Sequence, residues 1–250
     1  MLTRTNKKSE SGNVLFLILI AVALFAALSY VVTQSTRSGG GSTEREKNKL
    51  SSAQMTQYPT ALRTAIIRMV LGGISVDNLA FDAPANFGST SVNRLVFHPE
   101  GGAAAYQDAP ADLSANGNTG LTWYYNAEFR IPSIGIDTDG TGNELIAFLP
   151  GVSAGICKQA NDDLGITALI PTSGCTVVSG VPQIDPAVTD TELKKNFVIN
   201  PGPAYTIPTT GIPIKGVGGT CTTIFDRKAS GCFYENGQKQ YVYYSVLLER

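Results

Sequence analysis

The chain has 250 residues and a net charge of −1; charged residues are only 16% of it, and apolar residues are 43%. This balance leaves no basic excess to hold nucleic acid and no acidic tail to act as a decoy. The 26 Gly and 13 Pro fit a turn-rich β domain and fall well short of a collagen-like or low-complexity chain.

In chain order, the first feature is an apolar run, Val14 to Thr33, with no charge, no Pro and no Gly. Twenty residues at about 1.5 Å each make a helix of about 30 Å, the thickness of a bilayer's hydrocarbon core. Its polar residues are Ser29, Thr33 and the near-terminal Tyr30. Arg4, Lys7 and Lys8 precede the run, and Arg37, Arg45 and Lys47 follow it. The reading is a cytoplasmic tail over 1–13, a membrane anchor over 14–36 and the remaining chain on the oxidising side. A cleaved signal peptide is the competing reading, with Ala27 and Ser29 before a cut ahead of Tyr30. The apolar run continues through Val31 and Val32, which favours a retained anchor.

Gly39, Gly40 and Gly41 predict a hinge over 37–42. A second helix is predicted over 43–71, opened by a capping box at Thr43 and Glu46. Leu50, Ala53, Tyr58, Leu62, Ala65, Ile66 and Met69 form its apolar stripe, and Gly72 and Gly73 end it. Pro59 predicts a kink or a split near Tyr58.

From 74 to 250 the pattern turns β-rich, giving an α+β fold class. Predicted strands are Arg94–His98, Leu121–Ile131, Val177–Val181, Thr222–Phe225 and Gln240–Leu248. Asn143–Leu149 is an apolar segment, Gly151–Leu164 a predicted short helix carrying Cys157, and 182–216 a Pro-rich irregular region. Asn236-Gly237 between two β-patterned runs predicts a tight C-terminal hairpin. No internal repeat is present.

All four cysteines fall late: Cys157, Cys175, Cys221 and Cys232. An even count without any C-x-x-C, and with His98 as the only histidine, reads as structural disulfides and not as a zinc site. Three connectivities exist; the simplest is sequential, Cys157–Cys175 and Cys221–Cys232.

Candidate chemistry is sparse. Asp137, Asp139 and Glu144 surround a Gly-rich loop that reads first as a polar surface turn and second as a calcium site with an incomplete ligand set. His98, before Pro99, lacks a recognisable nucleophile partner, and there is no G-x-S-x-G elbow. Gly216-Val217-Gly218-Gly219-Thr220 lacks the Gly-Lys-Ser/Thr ending of a phosphate loop. Tyr234, Tyr241, Tyr243 and Tyr244 divide between the two faces of a strand, so some must pack the core. No cofactor and no catalytic constellation emerge; the expectation is a non-enzyme.

An uncharged N-terminal helix, an amphipathic continuation and a β-rich domain with late cysteines together resemble type IV pilins and the pseudopilins of type II secretion systems. Lys7-Lys8-Ser9-Glu10-Ser11-Gly12 ahead of Asn13-Val14-Leu15-Phe16 is similar to the family's short basic leaders ending in Gly. The resemblance implies leader cleavage after Gly12, Asn13 as the mature N-terminus, and a disulfide-bounded C-terminal loop between Cys221 and Cys232. The family usually carries glutamate at the fifth mature position and phenylalanine at the first; here these positions are Leu17 and Asn13.

The expected function is therefore a structural subunit of a surface filament or secretion apparatus. Its anchor sits in the bacterial inner membrane, and its C-terminal domain is periplasmic or extracellular. Expected partners are the lipid bilayer, other pilin-like subunits and pilus or secretion assembly proteins, with no nucleic acid. Phe16, Leu19, Ala23 and Ala27 are the expected anchor-packing positions, Ala23 and Ala27 making a small-x-x-x-small step. The alternative is a membrane-tethered binding module that does not assemble, and a tethered hydrolase is the third reading.

Overall fold

A computed structural model describes residues 11–89, 91–117, 119–135, 143–167, 174–194 and 211–250. The chain divides into two compact units between Lys47 and Asn48.

Helix α1, Ser11–Leu71, begins in the first unit and ends in the second. In the first unit, Val14–Gln34 has a mean hydropathy of 2.8 and is exposed throughout. The Thr33 hydroxyl donates to the Ser29 carbonyl at 2.7 Å, so this polar group is satisfied by its own helix. The predicted hinge is not a break in secondary structure, because the backbone stays helical through Gly39, Gly40 and Gly41. Glycine costs about 1 kcal/mol per residue against alanine in a helix but poses no steric bar. Thr43 and Glu46, expected to cap a second helix, consequently lie inside α1.

In the second unit α1 continues past Pro59 without splitting. A proline inside a helix loses one hydrogen bond and costs about 3 kcal/mol. Burial of Met55, Tyr58, Leu62, Ile66 and Met69 on the same helix opposes that cost. Flanking threonines also bond back to the helix, Thr56 Oγ1 to the Ala53 carbonyl at 2.8 Å and Thr60 Oγ1 to the Thr56 carbonyl at 2.9 Å. The helix ends where predicted. Gly73 N donates to Val70 O at 3.0 Å and Ile74 N to Met69 O at 3.1 Å, a Schellman cap. Gly73 holds φ +93° there, which a side chain would resist.

The strands of the central sheet are β1 Tyr124–Arg130, β2 Glu144–Val152, β5 Ile212–Pro213, β6 Ser230–Glu235 and β7 Gln240–Leu248. They lie in the order β5-β1-β2-β7-β6. Only the β1–β5 pair is parallel. Period-two alternation sends the two faces of β2 to different cores. Leu145, Ala147 and Leu149 join Tyr58, Leu62 and Ile66 of α1 in one cluster. Ile146 and Phe148 join Phe129, Phe225, Phe233 and Tyr244 in the other. With both faces covered, β2 reads as one apolar run. Pro150 is tolerated in this inner strand because the register slips between Pro150 and Val152, where Gly151 takes φ +89°.

Short elements complete the second unit: β3 Val177–Val178, β4 Val181–Pro182, helix α2 Ala154–Asp163 and helix α3 Asp190–Leu193. Ser153 caps α2 by accepting from Ile156 N at 3.4 Å. The predicted strand Val177–Val181 is instead a small hairpin, β3 turning into β4 through Ser179 and Gly180, both at positive φ. Thr222–Phe225 is not a strand either: Gly219–Thr223 is a 3-10 helix, and Ile224 and Phe225 are buried consecutively. Nor is Arg94–His98 a strand: it follows a 3-10 turn over Val92–Arg94 and makes a lone bridge between Ala80 and Leu95, with Leu95, Val96 and Phe97 buried in succession.

The C-terminal hairpin forms, with Glu235 opposite Gln240, but its loop is four residues long. The positive φ falls on Lys239, so Asn236-Gly237 is not the tight two-residue turn expected. Glu235 shapes the loop instead, its carboxylate accepting from Gly237 N at 2.6 Å and Gln238 N at 2.8 Å.

The disulfides are nested, not sequential. Cys157 pairs with Cys232 and Cys175 with Cys221, with Cα–Cα distances of 5.4 and 5.2 Å. The outer bridge joins α2 to β6, which lie side by side although far apart in sequence. The inner bridge lies where the backbones of Gly174 and Gly219 meet. The implied Cys221–Cys232 loop therefore does not exist as a covalent ring.

Candidate functional site

Three surfaces are candidates: the apolar stretch of α1, the outward face of α1 in the second unit, and a groove beside that face. Phe16 and Leu19 are 62% and 61% exposed, and Ala23 and Ala27 are exposed with them. Exposure on all sides is what a helix solvated by lipid requires and what water penalises. Gly12 and Asn13 fall at the start of α1.

An arginine at Ala23, near the middle of Val14–Gln34, would cost about 2.5–3.5 kcal/mol of membrane insertion. Ala23→Arg is accordingly expected to move the protein out of the membrane fraction, with Ala23→Leu as the neutral control. Equal membrane recovery of both variants would count against the anchor.

Further along α1, the outward positions Ala53, Gln57, Thr60, Thr64, Ile67 and Leu71 carry no charge. Leu71 is 83% exposed. Of the two flanking arginines Arg68 is exposed and Arg63 half-buried, and both reach sideways to partners. Arg63 pairs with Glu249 at 3.2 Å, and Arg68 donates to the Gly102 carbonyl. A helix meant to face water normally displays charges on this side.

A groove of about 380 Å³ runs along α1 between Tyr58, Thr64, Arg68 and the Gly102–Gln107 segment. A second recess of about 240 Å³ adjoins it at Gln57, Tyr58 and Gln107 and reaches Trp123. Tyr58 ties the wall to the core. Its hydroxyl donates to Ala105 O at 3.0 Å and lies 3.3 Å from the Tyr125 hydroxyl. With the Tyr58 proton directed to Ala105, Tyr125 is the donor to Tyr58. No motif announces this groove, since Tyr58 and Gln107 are far apart in sequence.

Burial raises the pKa of Tyr58 and Tyr125; it pushes Tyr243 up to about 12 and holds Tyr244 well above the ordinary value. The folded state thus binds these protons more tightly than the unfolded chain, whose tyrosines titrate near 10. Their stabilising contribution is whole below about pH 10 and is lost as pH rises through the folded values. In a tyrosinate absorbance titration, these four are expected to ionise after the exposed tyrosines and together with unfolding. Gradual titration of all ten tyrosines in a folded protein would contradict this.

The remaining sequence candidates do not converge. Asp137 and Asp139 lie outside the described residues. Glu144, the first residue of β2, is buried and its Oε2 accepts from Ile131 N at 2.7 Å, a structural use of the carboxylate. Among the described residues, no three His, Cys, Asp or Glu side chains group as metal ligands. His98 accepts at Nδ1 from Glu100 N at 3.1 Å and packs edge-on against Phe87, with ring centroids 5.1 Å apart. Of the C-terminal tyrosines, Tyr243 and Tyr244 are buried in opposite cores, while Tyr234 and Tyr241 pair at 5.2 Å nearer the surface. Gly216–Gly219 packs around the inner disulfide.

No family model, curated protein or solved structure matches the chain. The class that can be stated is an α+β protein with two disulfides and one N-terminal helix long and apolar enough to cross a membrane.

Proposed function

We propose that the protein is a membrane-anchored, pilin-like or pseudopilin-like structural subunit, its N-terminus cytoplasmic and its second unit outside the bacterial inner membrane. The observation that carries this reading is the dual character of α1. Val14–Gln34 of this helix is membrane-length and exposed, and one outward row further on, Ala53, Gln57, Thr60, Thr64, Ile67 and Leu71, carries no charge, with Arg63 and Arg68 beside it. A filament core needs uncharged helix faces that pack against other helices, and a helix that remained in water would not. Pairing of all four cysteines supports the oxidising side for the second unit.

A second reading, a tethered binding module, is favoured by the groove at Tyr58 and Gln107. Intact mass and N-terminal sequencing of protein recovered from membranes separates the two. A start at Asn13, methylated or not, supports prepilin-type processing and the structural role. A start at Met1 or Leu2 favours the tethered module, and a start near Tyr30 removes the anchor and overturns the subunit reading.

A further inference from the structure

Two Asn-Gly pairs sit in exposed turns of the second unit, Asn116-Gly117 and Asn236-Gly237. Asparagine before glycine is well placed to cyclise, because the attacking glycine nitrogen is not crowded by a Cβ. The two pairs differ in what holds that nitrogen. Gly117 N donates to the Ser114 carbonyl at 3.1 Å, an oxygen too weakly basic to take the proton. Gly237 N donates to Glu235 Oε1 at 2.6 Å.

That carboxylate is fixed in place. Its Oε2 accepts from Gln238 N at 2.8 Å, and Glu235 is only 2% exposed at the end of β6. A base within about 2.6–3.2 Å of the atom whose proton it removes satisfies the geometric condition for general-base catalysis. Asn236 and Gly237 are themselves exposed, so water reaches the reacting amide.

We propose that Asn236 is a self-modification site at which Glu235 serves as the base for intramolecular deamidation. Glu235 takes the proton from Gly237 N, and the nitrogen lone pair forms a bond to Asn236 Cγ. The Cγ–Nδ2 bond breaks and the side-chain amide leaves as ammonia, carrying off the proton. Water then opens the cyclic imide at one of its two carbonyls, giving aspartate or an isoaspartyl linkage. No electrons are transferred, and water is the only co-reactant. Each event adds a negative charge beside Glu235 at the tip of the β6–β7 hairpin. The isoaspartyl branch also lengthens the main chain in the loop that sets the register of those strands.

The test ages the full chain in detergent micelles at neutral pH and follows both asparagines by peptide mass mapping. A parallel sample is unfolded in urea with its disulfides intact. In the folded protein Asn236 is expected to react at least about tenfold faster than Asn116, a modest share of what general-base catalysis contributes. In urea the two rates are expected to converge. Glu235→Gln is expected to slow Asn236 by about the same factor and leave Asn116 unchanged. The inference is overturned if folded Asn236 reacts no faster than Asn116, or no faster than in urea. The native-against-urea comparison uses the unaltered chain, so it decides the matter even if Glu235→Gln loosens the hairpin.

Discussion

Replacing Cys157 and Cys232 together by alanine is expected to destabilise the second unit by about 3.6 kcal/mol while the inner bridge is intact. The magnitude follows from the nesting. The outer bridge spans a sequence separation of 75 and the inner one 46, so with the inner bridge closed the outer loop is effectively 75 − 46 = 29 residues. Chain-entropy reasoning gives about 3.6 kcal/mol for a loop of that size and about 4.5 kcal/mol for the full loop. Removing the inner pair first should therefore make the outer pair worth about 0.9 kcal/mol more, a coupling that the sequential pairing would not produce. Urea unfolding of the two double-alanine variants and of the cysteine-free chain measures all three quantities. A rise in the m-value is expected alongside, because the freed chain exposes more surface when unfolded. Losses below about 1 kcal/mol would mean that the unfolded chain keeps α2 and β6 together without the bond.

The nesting also marks the boundary between what local sequence encodes and what it does not. β7 is legible to the residue, Gln240–Leu248, because its apolar and aromatic run is bounded by turn residues. The end of α1 is legible because Gly72-Gly73 follows a regular apolar stripe. Local proximity suggested the wrong disulfides. What decides the pairing is that β6 lies against α2, a contact between segments separated by two intervening regions. Thr222–Phe225 and Arg94–His98 failed for a related reason. β-branched and aromatic residues mark burial as readily as strand, and here both of their faces are wrapped in core. The hairpin loop was misjudged because the Glu235 carboxylate, not the Asn-Gly dipeptide, organises it. Three glycines overstated the break at 39–41 because propensity is a weak prior inside a long helix. The exposed apolar stretch Val14–Gln34 was legible because a long run without charge is a compositional property. The groove at Tyr58 was not, since it depends on where residues 102–107 come to rest.

Asn161→Leu is expected to destabilise the second unit by about 2–6 kcal/mol, the cost of leaving two buried polar groups unmatched. Asn161 is fully buried; its Nδ2 donates to Cys232 O at 2.8 Å, and its Oδ1 accepts from Cys232 N at 2.8 Å. The side chain thereby supplies to the outer edge of β6 the two bonds that another strand would supply. Two residues on, Ile184 N donates to Tyr234 O at 2.9 Å and covers the next step of the same edge. An unpaired edge is a template for strand addition, so these bonds serve solubility as well as stability. Leucine has the branched shape of asparagine and no hydrogen-bonding atoms, which leaves the amide and carbonyl of Cys232 unpaired; its bulkier methyl groups add an overpacking cost of the same sign. Hydrogen exchange at the Cys232 amide is expected to rise toward the rate of local opening, and the variant is expected to associate through β6 as its concentration increases. Unfolding within about 1 kcal/mol of the parent, with the Cys232 amide still protected, would show that the outer disulfide alone holds this edge closed. If instead the disulfide and Asn161 act on the same α2–β6 contact, the triple variant should lose less than the sum of its parts.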